Sequence, residues 1–172
     1  LTTSNFTGNE DPVTEAIEEK RGAMLQAIFT LRRKGFNKKI KVGEIFNYKD
    51  EKYILTHIVE IKHFYSSSAR MEVKGVAQLV GGKSDFSQYE RTSEFVRKYP
   101  KGEFTEENPL YRVGDIFVFD GICGEITNLE SIEFEFVDLV VTYHSRLFRP
   151  WSDEEMSQAV KEDRLSKFKV IG

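Results

Sequence analysis

Lys41-Val42-Gly43-Glu44-Ile45-Phe46 and Arg112-Val113-Gly114-Asp115-Ile116-Phe117 follow one pattern: a base, Val, Gly, an acid, Ile, Phe. The two stretches lie 71 residues apart. At that same spacing Tyr48 aligns with Phe119, Leu55 with Ile126, Thr56 with Thr127 and Ile58 with Leu129. Self-similarity at a fixed period is the signature of a repeated structural unit. It predicts two small β-rich units. Further on, Met71, Val73 and Leu79 align with Leu139, Val141 and Leu147 at a spacing of 68. The three-residue shortening is assigned to a serine hairpin tip, Ser66-Ser67-Ser68. Ser84-Asp85 aligns with Ser152-Asp153, each ahead of a predicted helix. Two explanations are open: a true duplication, or a common way to begin a barrel strand after a turn.

Around the first motif, residues 41–48, 52–65 and 69–80 read as strands. The last alternates well, with Met71, Val73, Ala77 and Leu79 on one face and Glu72, Lys74 and Gln78 on the other. Around the second motif, Ile116–Phe119 and Ile122–Leu129 form a hairpin candidate about Asp120-Gly121, a strong turn dipeptide. Ile132, Phe134 and Phe136 then alternate with Ser131, Glu133 and Glu135. The apolar phase flips at Val137, which requires a bulge or a tight turn.

Three helices are predicted. Over residues 13–34, Val13, Ala16, Ile17, Met24, Ala27, Ile28 and Leu31 recur near helical spacing. Asp11 and Pro12 suit its start, Gly35 its end, and the charges complement the dipole. Residues 84–99 carry Phe86, Tyr89, Phe95, Val96 and Tyr99 between a capping Ser or Asp and Pro100. Over 152–167, Ser152 and Glu155 form a capping box. The fold expected is therefore α+β. It has two small, mostly antiparallel β units, barrel-like or sharing one sheet, with three helices. The divisions are an N-terminal arm over 1–12, a first unit with its helices over 13–100, and a second unit with its helix over 101–172.

The chain of 172 residues is 40% apolar and 31% charged, which describes a globular protein. No apolar run approaches the ~18 residues of a membrane span. No secretion signal is seen, so a cytoplasmic or virion location is compatible. With Leu at position 1, the chain is expected to be a processed product, a fragment or the ordered part of something longer. The net charge of −3 conceals a polarity: +3 over residues 1–41, +1 over 42–100 and −7 over 101–172. Such an asymmetry suits two partners, or two ends that attract.

Catalytic patterns are sparse. His57 and His63 would share one face of an unbroken strand about 20 Å apart, too far for one metal. His144 has no second ligand near it in sequence, and no metal or cofactor is expected. Gly81-Gly82-Lys83-Ser84 lacks the earlier glycine of a phosphate loop, because position 77 is Ala. Cys123 reads as a small buried apolar residue, and Glu133 and Glu135 as a solvated strand face.

Two stretches remain as binding candidates. Arg32, Arg33, Lys34, Lys38, Lys39 and Lys41 cluster around Phe36, a composition that can hold single-stranded nucleic acid by charge and stacking. The same bases also suit a helix C-terminus or an acidic protein partner. Arg149 and Trp151 sit at a strand-to-helix junction, either as a core anchor or as a binding hot spot. The function expected is a non-enzymatic structural or interaction protein within a larger assembly, a virus or phage particle being one setting. Other protein subunits are its expected partners, reached through the polar arm of residues 1–12. The alternative is a nucleic-acid-binding small β-barrel using residues 32–41.

Overall fold

The computed structural model describes the backbone of residues 15–21 and, in full, residues 25–65, 69–82 and 90–169. The predicted arm over 1–12 and the serine tip at 66–68 lie outside these residues. The chain forms two compact units: residues 1–84 with 150–172, and residues 85–149.

The first unit holds strands β1 (Glu15–Arg21), β2 (Gln26–Lys34), β3 (Ile45–Tyr48), β4 (Glu51–Tyr65) and β5 (Ala69–Leu79), and the helix α1 (Asp153–Lys169). Its sheet order is β1-β2-β5-β4-β3, and every pair is antiparallel. The second unit holds β6 (Thr92–Tyr99), β7 (Ile116–Phe119), β8 (Ile122–Glu135) and β9 (Asp138–Leu147), in the antiparallel order β6-β9-β8-β7. One sheet curls as a half-barrel, a small-barrel-like form.

The α+β expectation with three helices is overturned: the fold is mostly β, with one α-helix among the described residues. Of the residues predicted as the first helix, 15–21 and 26–34 form β1 and β2, while 13–14 and 22–24 lie outside the described ones. The apolar run Leu25–Leu31 is buried on both sides, with Ala27, Phe29 and Leu31 on one face and Gln26, Ile28 and Thr30 on the other. A short run buried on two faces satisfies helical and extended spacing alike. Its β-branched and aromatic content suits the slot between two strands. The second predicted helix is β6 over Thr92–Tyr99, while residues 83–89 lie outside the described ones. Ser93, Phe95, Arg97 and Tyr99 turn inward at strict alternation, so a period of two wins over the helical one.

The shared hexapeptide does the same work in both places. Gly43 and Gly114 take φ values of 88° and 92°, which an L side chain resists. The Glu44 N–H donates to the Lys41 carbonyl at 3.1 Å, and the Asp115 N–H to that of Arg112 at 3.0 Å. Each acid also accepts from the backbone N–H three residues earlier, at 3.3 Å for Glu44 and 2.7 Å for Asp115. The turn then locks to the next strand. Gly43 and Gly114 donate to the carbonyls of Leu55 and Ile126, and Leu55 and Ile126 donate back to Glu44 and Asp115. Phe46 and Phe117 end the motif as buried rings. The following hairpins turn through Lys49-Asp50 and the anticipated Asp120-Gly121, all four residues at positive φ.

The cores are aromatic. In the first unit Phe29 meets Phe46, Tyr48 and Tyr53 at ring distances of 5.0–5.2 Å. In the second, Tyr143 meets Phe95 at 5.3 Å and Tyr111 at 5.7 Å. The Tyr99 and Tyr143 hydroxyls lie 2.9 Å apart, and Tyr99 also donates to the Pro109 carbonyl. On the first unit's other face, Met156 and Ala159 of α1 pack on Ile54. Ser152 and Glu155 form the expected capping box: the Ser152 N–H donates to the Glu155 carboxylate, and the Glu155 N–H to the Ser152 hydroxyl.

Burial leaves a pH signature in the second unit. It pushes the Cys123 thiol from its usual 9.0 up to about 12. Burial, then the Tyr143 hydrogen bond, raises the Tyr99 hydroxyl well above 10.0, and burial raises Tyr111. The folded chain keeps these protons when the unfolded chain gives them up. Their stabilisation is therefore full below pH ~9 and lost as pH rises further. Denaturant midpoints should fall above pH ~9, as the unfolding free energy drops by up to about 1.4 kcal/mol per pH unit for each group. In Cys123→Ala the decline should start about one unit later, where tyrosines ionise.

Candidate functional site

β3 and β7 are short, and β4 and β8 are long. β3 pairs with β4 only from Glu51 to Ile54, and β7 with β8 only from Ile122 to Glu125. The motif turns reach one step further, to Leu55 and Ile126. Beyond that, among the described residues, no strand pairs with the outer edges of β4 over Ile58–Tyr65 or of β8 over Leu129–Glu135. Among the described residues, each edge leaves a row of backbone donors and acceptors without a strand partner.

The inner edges follow one register. In the first unit Leu55, Ile58, Ile61 and His63 lie opposite Ala77, Gly75, Val73 and Met71. In the second, Ile126, Leu129, Ile132 and Phe134 lie opposite Ser145, Tyr143, Val141 and Leu139. Both hairpins bulge at matching places, between Leu55 and His57 and between Ile58 and Glu60, as between Ile126 and Asn128 and between Leu129 and Ser131. Cross-strand partners share a face. The apolar rows therefore continue the face of the aromatic cores outward into solvent. Exposure rises in parallel along them: 37% at Ile58 and 38% at Leu129, then 70% at Ile61 and 64% at Ile132. Phe134, Phe136 and Val137 extend the second row to its turn, where Phe136 is wholly exposed and takes a φ of 58°. The apolar phase flip is thus a tight turn at 136–137.

The opposite face of these hairpins is charged. Glu60 and Lys62 face Lys74 and Glu72 across the first, lining a shallow polar depression with Thr30. In the second, Lys98 bonds Glu135 and lies near Asp138, and both carboxylates raise its pKa. His144 stands 3.0 Å from Glu130 and 3.7 Å from Glu94.

The binding residues expected from sequence are dispersed in role. Arg32 bonds Glu72 at 2.7 Å. Arg33 bonds the Glu44 carboxylate and the Lys39 carbonyl. Lys34, Lys38, Lys39 and Lys41 are exposed, and Phe36 is exposed among them. Trp151 is half-buried in the cluster under α1 and lies against Gly43. Its backbone N–H donates to the Gln78 side-chain carbonyl at 2.8 Å, and the Gln78 side-chain amide donates back to the Trp151 backbone carbonyl at 2.9 Å. Arg149 is exposed two residues earlier in the chain.

The bulge between Ile58 and Glu60 corrects the histidine geometry: His57 lies opposite Val76 and His63 opposite Met71, on different faces. Among the described residues no three His, Cys, Asp or Glu side chains gather as a metal site. Nor is any described helix long and apolar enough to cross a membrane. The open edges escaped the sequence reading, although the alternation of Ile132, Phe134 and Phe136 marked the row itself. Compared with protein-family models, curated proteins and solved structures, the chain finds no match.

Proposed function

We propose that this chain is a non-enzymatic interaction protein working within a larger assembly, and that its two units are copies of one module. The carrying observation is the pair of exposed apolar rows on strand edges that no other described strand pairs, at one register in both units. Exposed apolar area continuous with a core is costly in isolation and marks a binding surface. Open edges add backbone hydrogen bonds to that surface. The polar arm of residues 1–12 is a further proposed contact.

The test compares the native chain with Ile132→Glu/Phe134→Glu, each expressed in the natural source. Both positions are exposed, so the fold should persist. The complex carrying the variant should be smaller by size-exclusion and mass measurement. Equal masses for native and variant complexes would refute the proposal.

A second reading, single-strand nucleic-acid binding, rests on exposed Phe36 among Lys34, Lys38, Lys39 and Lys41. Local pairing of Arg32 with Glu72 and Arg33 with Glu44 weakens it. On this reading Lys38→Glu/Lys39→Glu should lower affinity for an oligonucleotide and flatten its salt dependence.

A further inference from the structure

Two basic stretches, well apart in sequence, meet at one end of the first unit's sheet. Residues 32–43 carry Arg32, Arg33, Lys34, Lys38, Lys39 and Lys41 and no acid. Residues 61–71 carry Lys62, His63 and Arg70 and no acid. The fold joins them. Lys34 lies opposite Arg70, and Arg70 opposite Phe64, so the three make one row across β2, β5 and β4. Cross-strand partners share a face. The Gly35 N–H donates to the Ala69 carbonyl at 2.8 Å, and the Lys38 side chain lies over Gly35, 3.6 Å from where a Cβ would stand.

The acids that border this end each lie against a cation: Glu44 against Arg33, Glu72 against Arg32 and Glu60 against Lys62. Those pairs take acids as well as cations out of the local field. Arg33 also bonds the Lys39 carbonyl, and Glu44 accepts from the Lys41 N–H, so the loop is fixed from within. Among the described residues Lys34, Lys38, Lys39, Lys41 and Arg70 make no ion pair, and all five are exposed. Two exposed rings stand among them. Phe36 is in the loop and Phe64 in the row, with the Arg70 guanidinium 4.4 Å from the Phe64 ring centre.

Deepening the nucleic-acid reading above, on which it rests, we infer that the loop and the end of the β4–β5 hairpin form one composite platform for single-stranded nucleic acid. The five unpaired cations meet phosphates. Phe36 and Phe64 supply ring surface on which bases stack, and Arg70 a guanidinium beside one of them. A duplex keeps its bases stacked inside and leaves both rings bare. An acidic peptide uses the cations and leaves the rings bare as well. A single strand uses both. Phe64 lies on the opposite face of β4 from Ile61 and His63, so the platform does not cover the apolar row.

The experiment is fluorescence anisotropy of a labelled oligothymidine with the purified full chain across a salt series. The native chain should bind with a log–log salt slope of about −3.5, from five cations at ~0.7 each. Arg70→Gln should weaken binding and make the slope shallower by ~0.7. Phe64→Ala should weaken binding about tenfold and leave the slope unchanged, because the ring carries no charge. Phe64→Tyr should bind like the native chain, which separates lost stacking from a lost fold. A duplex of the same length and polyglutamate should each compete poorly.

If Lys38→Glu/Lys39→Glu weakens binding while Arg70→Gln and Phe64→Ala do not, the composite platform is overturned and the nucleic-acid reading stands on the loop alone. No oligothymidine binding at low salt would overturn both. Polyglutamate or the duplex competing as well as the single strand would overturn the assignment of the ligand. The interaction reading keeps its own test in every case, since it rests on other residues.

Discussion

Phe29→Ala is expected to destabilise the first unit by about 3–5 kcal/mol, read as a lower denaturant midpoint. Phe29 is fully buried, and three rings pack edge-on against it: Phe46, Tyr48 and Tyr53. The hole left behind would stay open. Its cross-strand neighbour on β5 is Gly75, which has no side chain to swing in. Gly75 cannot be enlarged to compensate either, because a Cβ there would meet the His57 carbonyl at 2.6 Å. Gly75→Ala combined with Phe29→Ala should therefore fail to restore stability. A midpoint close to that of the native chain would show that the aromatic cluster is not what holds this sheet.

The second large effect falls on the other unit. Tyr143→Ala removes a fully buried ring that stacks on Phe95 and meets Tyr111 edge-on. It also removes the hydroxyl that lies 2.9 Å from that of Tyr99 and accepts from the Tyr111 N–H at 3.3 Å. The expected loss is about 3–5 kcal/mol, as for other large aromatic truncations. Tyr143→Phe separates the contributions. It keeps the ring and leaves the Tyr111 N–H with its partner gone, at a cost of about 1–3 kcal/mol. Chemical denaturation of both variants, followed by tyrosine fluorescence, checks the difference. If Phe and Ala cost the same, the hydroxyl network and not the packing dominates this core.

These two cores occupy corresponding positions and are built from different residues. Phe29 lies across from Gly75, and Phe95 across from Tyr143. One sheet fills its centre from β2 alone, while the other fills it from both β6 and β9. The turn chemistry is common to both, because the acid, the glycine and the buried Phe of the hexapeptide answer a local demand that is the same in each.

That local demand explains what could be read without a structure. The turn-and-strand starts at Gly43 and Gly114, the Asp120-Gly121 hairpin and the Ser152–Glu155 capping box each depend on a few adjacent residues. Their hydrogen bonds close within the segment or with the next strand, so the sequence by itself determined them. Residues 26–34 and 92–99 were not legible in this way. Apolar residues in a short run fit a helix as well as a strand, and only the neighbouring β5 and β9 decide between them. The open edges are likewise a tertiary outcome. They exist because β3 and β7 each stop after four residues while β4 and β8 run on for fifteen and fourteen. The face each histidine takes is decided by a one-residue bulge. An edge or a bulge is a relation between strands, and no periodicity within a single strand carries it.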